Sequence, residues 1–434
     1  MYSRVIIKIE KLNILIALFI GPTIPIMSSD KIVNYVLKNN INYLCGTICP
    51  SDKDTEKNNL ESLEKALDYY INLYNNNITN KLVIQPKYMG SRLQYYFDTE
   101  DKTKCYCITR NGNKKEFDES VMNNIYENLK KKTQNLVEQY DVKLMIIDGE
   151  ILPWNLFCRD LINSQYNDTY DAANTELKIL KKAKYDEKLN IMIDKYKQSD
   201  YEHDSKNMDK NELNTKYKFT QKTFRQLKYN LSKYLSIDSQ LNGLKTFKKQ
   251  LEIFGLDNNI EFKPFGILKI ITKNGQEFLP SIKNEQNINK NFNNIEISNL
   301  LMDERYLVLN LSDTRDDNLY KIKEYWEFMT SELEMEGIIF KPDVIDKDYA
   351  PCLKVRNSNY LHIIYGYDYL APSKLEHLIK KKNIDKKMFS SIKEFQLGLK
   401  MLKIPYNEIS VHNHDYIEIL IDFYNCHDNY DIAL

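Results

Sequence analysis

Apolar residues recur at helical spacing through "NLESLEKALDYYINLYNN" (Asn59–Asn76), which predicts an amphipathic helix. The pattern then changes to short continuous or alternating apolar runs, "KLVIQPKY", "RLQYYFD" and "KCYCITRNG", with Asn111-Gly112 as turn chemistry. "VKLMIIDGEILPW" (Val142–Trp154) reads as a further buried strand ended by Pro153. From about 161 to 254 charged and amide side chains dominate, and the apolar residues return to helical spacing, as in a partly solvated helical insertion. Strand patterns resume at "EFKPFGILKIIT" (Glu261–Thr272), "RYLVLNLS" and "MEGIIFKPD", and "LKVRNSNYLHIIYGYDY" is expected to complete the sheet region. The tail from Pro372 is helical, with "IKEFQLGLKML" and "YIEILIDFY" as amphipathic stretches. The basic run "KLEHLIKKKNIDKK" is most simply a solvated helix face, otherwise one that contacts phosphate. No internal repeat is present.

With 434 residues the chain can form two or three domains, each with a sizeable core. Lys+Arg and Asp+Glu both number 61, so any contact with nucleic acid has to come from a local basic patch. Cys45 and Cys49 are four apart and Cys105 and Cys107 two apart, and no cysteine pairs with a histidine at zinc spacing. Reduced thiols in a cytoplasmic protein are expected, with neither a zinc site nor a disulfide framework. Leu12–Met27 is apolar but short for a membrane span and is interrupted by Pro22 and Pro25, so no membrane association is expected. It reads as a buried strand and irregular turn. The alternatives are a degenerate remnant of an upstream module and a targeting segment. Gly21 and Ser28 keep phosphate-loop spacing, but Ile26 and Met27 stand where the glycine and lysine are needed.

The chain has 12 glycines, and five of them sit in short polar signatures. In so glycine-poor a sequence such positions suggest turns or close backbone approaches. The signatures are Lys87-Tyr-Met-Gly90-Ser-Arg92, Thr109-Arg110-Asn-Gly112, Ile147-Asp-Gly149-Glu150, Glu336-Gly337-Ile-Ile-Phe-Lys341 and Lys354-Val-Arg356, followed by Gly366. Each alone has a plain structural explanation. Their order in one chain, all at predicted strand edges, carries more.

That order resembles the covalent nucleotidyltransferases, which comprise the ATP-dependent DNA and RNA ligases and the mRNA capping enzymes. Within them it is most similar to the ligase domain of bacterial polynucleotide kinase-phosphatase, an RNA-repair enzyme. "KYMGSR", "TRNG", "DGEILPW", "FKPFGIL", "EYWEFMT…EGIIFKP" and "LKVRNSNYLHIIYGYDY" carry the likeness, with "YLCGTICPSDKD" before them and "IKEFQLGLKML" and "VHNHDYIEIL" after. It runs from about residue 40 to the C-terminus and is weakest in the insertion. The sequence departs from the family at Gln85-Pro86, where acidic residues are usual, at Phe157, where a lysine is usual although Arg159 is close by, and at His362, where an arginine is usual.

The resemblance implies an α+β fold: a ligase-type nucleotidyltransferase domain with antiparallel sheets, a helical insertion and a C-terminal helical module. Residues 40–160 and 261–371 would form the adenylyltransferase domain, 161–260 the insertion, 372–434 the C-terminal module and 1–39 an N-terminal extension. It implies an ATP-dependent RNA ligase that joins an RNA 5′-phosphate to a 3′-hydroxyl through lysyl-AMP on Lys87. Gln85, Pro86, Gly90, Arg92, Arg110, Glu150, Glu336, Lys341, Lys354 and Arg356 would bind the nucleotide, Gly90 by close backbone approach. Glu150 and Glu336 would hold Mg²⁺ or Mn²⁺, or one of them the ribose hydroxyls. End-healing would fall to a kinase/phosphatase, with a 3′-terminal RNA methyltransferase as a further partner. A DNA ligase, a capping guanylyltransferase and an inactive RNA-binding scaffold are the other readings. The chemistry is demanding because free lysine, with a pKa of about 10.4, is neutral in only about four molecules in ten thousand at pH 7. Cationic neighbours favour the neutral nucleophile and also stabilise charge spread over phosphate oxygens in the transition state.

Overall fold

The computed structural model describes residues 29–42, 49–50, 59–110, 112–153, 165–255, 260–280, 282–283, 292–382 and 384–427. The expectations placed on Leu12–Met27, Trp154, Phe157 and Arg159 lie outside them. The described strands are β1 (Cys49–Pro50), β2 (Lys81–Lys87), β3 (Ser91–Asp98), β4 (Tyr106–Thr109), β5 (Lys114–Lys115), β6 (Val142–Leu152), β7 (Glu261–Thr272), β8 (Glu277–Phe278), β9 (Leu307–Asn310), β10 (Gly337–Pro342) and β11 (Leu353–Arg356). They form two sheets, a five-stranded one ordered β1-β11-β10-β2-β9 and a six-stranded one ordered β5-β4-β3-β6-β7-β8. Apart from the short parallel β1–β11 pair, neighbouring strands in both sheets run antiparallel.

The helices are α1 (Ser29–Lys38), α2 (Asn59–Asn75), α3 (Glu119–Tyr140), α4 (Asn167–Lys182), α5 (Tyr185–Lys197), α6 (Tyr201–Asn207), α7 (Lys210–Tyr217), α8 (Gln221–Asn230), α9 (Ile237–Phe254), α10 (Asn294–Leu301), α11 (Arg315–Glu327), α12 (Ser358–Tyr365), α13 (Pro372–Lys382), α14 (Ile384–Lys403) and α15 (His414–His427). Side chains alternate across a strand, so each sheet has two chemically distinct faces. In the five-stranded sheet Leu82, Ile84, Ile338, Phe340, Leu353 and Val355 pack against Leu67 and Tyr70 of α2 and Ile322 and Tyr325 of α11. Each such apolar side chain contributes about 1.5–3 kcal/mol on burial. The opposite face of the same strands carries Gln85, Lys87, Ile339, Lys341, Lys354 and Arg356. In the six-stranded sheet Leu93, Tyr95, Met145 and Ile147 pack against Ile125 and Leu129 of α3 and Ile297 of α10. Its other face is covered at one end by α1, α14 and α15, where Tyr96, Ile108 and Ile146 meet Val36, Leu399 and Tyr416. The polar inner faces of the two sheets meet at a cleft.

Two elements differ from the sequence pattern. Only Leu353–Arg356 of "LKVRNSNYLHIIYGYDY" is a strand, and Ser358–Tyr365 is helical. Asn357 makes the switch: its Oδ1 accepts a hydrogen bond from Asn359 N at 3.0 Å and caps α12. The tyrosines that suggested strand packing instead bury Tyr360, with Leu361 and Ile363, against α9. The 22-residue α3 is the element the sequence pattern left unassigned, although its buried Ile125, Leu129, Thr133 and Leu136 recur at helical spacing. The expected turn at Gly112 is present: φ is +74°, where glycine is favoured, and Gly112 N donates to Thr109 O at 2.9 Å. Among the described residues no helix is long and apolar enough to cross a membrane.

Candidate active site

Lys87 ends β2 on the cleft face, opposite Gly337 of β10. Its Nζ lies 2.7 Å from Glu336 Oε2, and Glu336 is only 3% exposed. A Cβ on Gly337 would stand 2.1 Å from Val355 O, so only glycine lets β10 lie this close to β11 beside the lysine. That approach sets Lys354 and Arg356, on the cleft face of β11, next to the Lys87–Glu336 pair. Burial, then Arg356 and Lys87, push the Lys354 ammonium well below the ordinary lysine value against the pull of Glu336. Lys354 forms no ion pair with a described residue. An anion arriving there would favour the charged form of Lys354 against the burial that opposes it. Arg356 reaches Tyr365 Oη at 3.4 Å.

The facing sheet supplies the other half. Arg92 on β3 pairs in register with Glu150 on β6, and its Nε donates to Asp148 Oδ1 at 3.0 Å. Asp148, Glu150, Arg92, Gln85, Pro86, Lys87 and Lys341 all line the same cleft, with Phe265, Ile267, Ile339, Pro351 and Cys352 as its apolar walls. The Glu150 carboxyl is pushed up to about 7, first by burial and further by Glu336 and Asp148, while Lys87 and Arg92 oppose the shift. It makes no hydrogen bond to a described residue. Burial lowers the Lys341 ammonium. Lys341 Nζ donates to Phe265 O at 3.1 Å and lies 5.4 Å from that ring's centre.

Several expected ligands stand in different settings. The close approach at Gly90 is to β6: a Cβ there would meet Ile151 O at 2.4 Å and Glu150 Cγ at 2.6 Å. The glycine therefore seats the Lys87 loop on the strand that carries Glu150. The buried Gln85 donates to Ser298 Oγ at 2.7 Å and braces β2 against α10. The Arg110 guanidinium is held at 2.9 and 3.1 Å by Glu394 of α14, a carboxylate only 1% exposed. His362 is buried in α12, with its Nδ1 3.1 Å from Ser358 O. Asp148 and Glu394 escaped the sequence reading. Asp148 was within its reach, because it lies two residues before Glu150 on a strand, hence on the same face and diagonal to Arg92. Glu394 had no local signal, being 284 residues from its partner.

Lys87, two facing carboxylates and a set of buried cations between two antiparallel sheets suit nucleotidyl transfer to an amine. Residues 32–416 match the family model of the PNKP adenylyltransferase domain, ligase domain. The chain belongs to this family. A chain of the Pnkp1/Rnl/Hen1 complex matches with a TM-score of 0.72 and 26% identity over 93% of this chain and 98% of that one. A chain of the Pnkp1/Rnl/Hen1 RNA repair complex matches with a TM-score of 0.70 and 25% identity over 94% and 99%. No curated protein matches. Membership in the PNKP ligase-domain family makes the protein a ligase of the adenylyltransferase class, with ATP as nucleotide donor.

Proposed function

We propose that this chain is an ATP-dependent RNA ligase that carries AMP on Lys87. The observation that carries the reading is Lys87 Nζ, 2.7 Å from buried Glu336, at a cleft into which the facing strands put Arg92 and Glu150. Nζ attacks the α-phosphorus of ATP. An N–P bond forms as the P–O bond to pyrophosphate breaks, and Glu336 Oε2 is the group placed to receive the ammonium proton beforehand. Lys354, Arg356 and Arg92 stabilise the charge that spreads over the phosphate oxygens, and Asp148 fixes the Arg92 guanidinium. Phe265, Ile267 and Ile339 give the base an apolar wall. An oxygen of an RNA 5′-phosphate then attacks the lysyl phosphoramidate, which frees Lys87. A 3′-hydroxyl attacks the activated 5′-phosphorus and expels AMP.

Glu150 and Glu336 are hard oxygen donors whose charges meet in the cleft. Among the described residues no group of three metal-ligating side chains occurs. Two carboxylates suit Mg²⁺ or Mn²⁺, which keep several waters and take further ligands from substrate phosphates. The ion would neutralise triphosphate charge when bound. In this reading residues 40–160 and 261–371 form the adenylyltransferase domain, 161–260 the insertion and 372–434 the C-terminal module. The neighbouring structures are complexes with Pnkp1 and Hen1, which supports a kinase/phosphatase and a methyltransferase as partners that prepare RNA ends. A cytoplasmic setting suits the free thiols of Cys105, Cys107 and Cys352.

Sealing of a labelled 5′-phosphate RNA to a 3′-hydroxyl RNA, run beside a nicked DNA duplex, tests the assignment. Joined RNA supports it. Sealing of DNA alone assigns a DNA ligase, and transfer from GTP alone assigns a capping enzyme.

A further inference from the structure

The adenylylation chemistry leaves the helical insertion without a task. Its outer part has a small core of its own, into which α8 turns Phe224 and Leu227 against Tyr196 and Tyr201. The opposite face of α8 therefore presents Lys222, Arg225, Gln226 and Tyr229, spaced by three, one and three residues along one helical stripe. Phe219 extends that stripe by one turn at its N-terminal end. Lys218, at φ +45°, breaks the chain out of α7 and carries Phe219 into solvent. Phe219 is 98% exposed and Tyr229 64%. At about 1.5 Å per residue the two rings stand roughly 15 Å apart along the axis.

Charge is as uneven as hydrophobicity here. Residues 216–233 contain five lysines, one arginine and no acidic residue, in a chain whose formal net charge is zero. Lys216 is paired with Asp204, and Lys228 donates to Ser205 Oγ at 2.7 Å. Lys218, Lys222 and Arg225 form no ion pair with a described residue. Two exposed rings separated by cations and an amide do not make the contiguous apolar patch that a protein interface buries. They match a ligand that alternates flat rings with phosphates.

We infer that the outer face of α8, with Phe219 at its head, is a docking platform for a single-stranded stretch of the RNA substrate. The phosphates lie against Lys218, Lys222 and Arg225, and bases stack on Phe219 and Tyr229. The inference rests on the RNA-ligase reading above and adds to it a site outside the catalytic cleft.

Fluorescence anisotropy of a fluorescein-labelled, 5′-phosphorylated single-stranded RNA, titrated with the full chain, tests it. The double variant Phe219→Ala/Tyr229→Ala is expected to raise Kd by about tenfold or more, since each stacked base is worth that order. Lys222→Gln/Arg225→Gln is expected to reduce the slope of log affinity against log salt by about 1.4, for two lost phosphate contacts on a single strand. AMP labelling of Lys87 stays at the wild-type level in both variants, which also reports that they fold. RNA affinity and salt slope unchanged in both variants overturn the platform. So does binding to anionic lipid vesicles that these substitutions abolish while RNA binding persists. A wild-type chain that labels with AMP yet neither binds nor seals RNA overturns the RNA reading itself, a result distinct from failure of the platform.

Discussion

Replacing Glu150 by glutamine is expected to stabilise the fold while removing activity, with a pH signature that follows from the cleft's electrostatics. The unfolded carboxyl ionises near its ordinary value of 4.5, whereas the folded one keeps its proton to about 7. Between these values the folded state binds a proton that the unfolded state does not, so stability falls as pH rises through that window. At 1.36 kcal/mol per pKa unit, the full penalty above pH 7 is roughly 3 kcal/mol. At pH 5.5 the same linkage leaves about 1.4 kcal/mol, so the advantage of Glu150→Gln should grow by about 2 kcal/mol between pH 5.5 and 8.5. The assay is urea unfolding of both proteins in EDTA at the two pH values, with AMP transfer measured in parallel. A stability difference that is the same at both pH values, or that shrinks as pH rises, would contradict a raised Glu150 carboxyl. Either result would mean that Glu150 is ionised in the folded cleft throughout.

Other perturbations probe separate parts of the account. Lys354→Met should raise stability, because a half-buried lysine held below its ordinary value is costly as a cation, and should lower AMP transfer by about 10²–10³-fold, read in single-turnover labelling. Glu394→Ala removes the partner of Arg110. It should destabilise by about 2 kcal/mol in urea, less than a fully buried pair because the guanidinium side is 39% exposed. Gly337→Ala forces β10 off β11 and should lower stability by about 1–3 kcal/mol, visible as a shift in the urea midpoint. Lys269→Met leaves the Leu402 and Ile404 carbonyls and Glu277 without their shared donor, and should cost about 3 kcal/mol in the same assay.

Period-two and period-3.6 patterning located most of the strands and, α3 apart, the long amphipathic helices, because one buried face per element leaves a regular trace. It went astray at Ser358–Tyr365, where a run rich in tyrosine and isoleucine suits a buried helix and a strand equally. There a single capping side chain, Asn357, decides the outcome. Lys87, Glu150, Glu336, Lys354 and Arg356 stood out because each lies at or near a strand end in a fixed chain order, and the fold brings them together around Lys87. What the order could not convey was the use each residue makes of its surroundings. Gly90 is fitted to β6, and Gln85 braces α10. Arg110 answers to Glu394, a carboxylate that only the folded chain brings to it. Contacts of that separation leave no local spacing to read.

The claim on which the account rests is that Lys87 is the covalent site. Incubation of the chain with ATP and magnesium, followed by peptide mapping in a mass spectrometer, tests it directly. One AMP adduct is expected, on the peptide carrying Lys87, absent from Lys87→Ala and discharged by 5′-phosphate RNA. An adduct on another residue, or one that persists in Lys87→Ala, would contradict it.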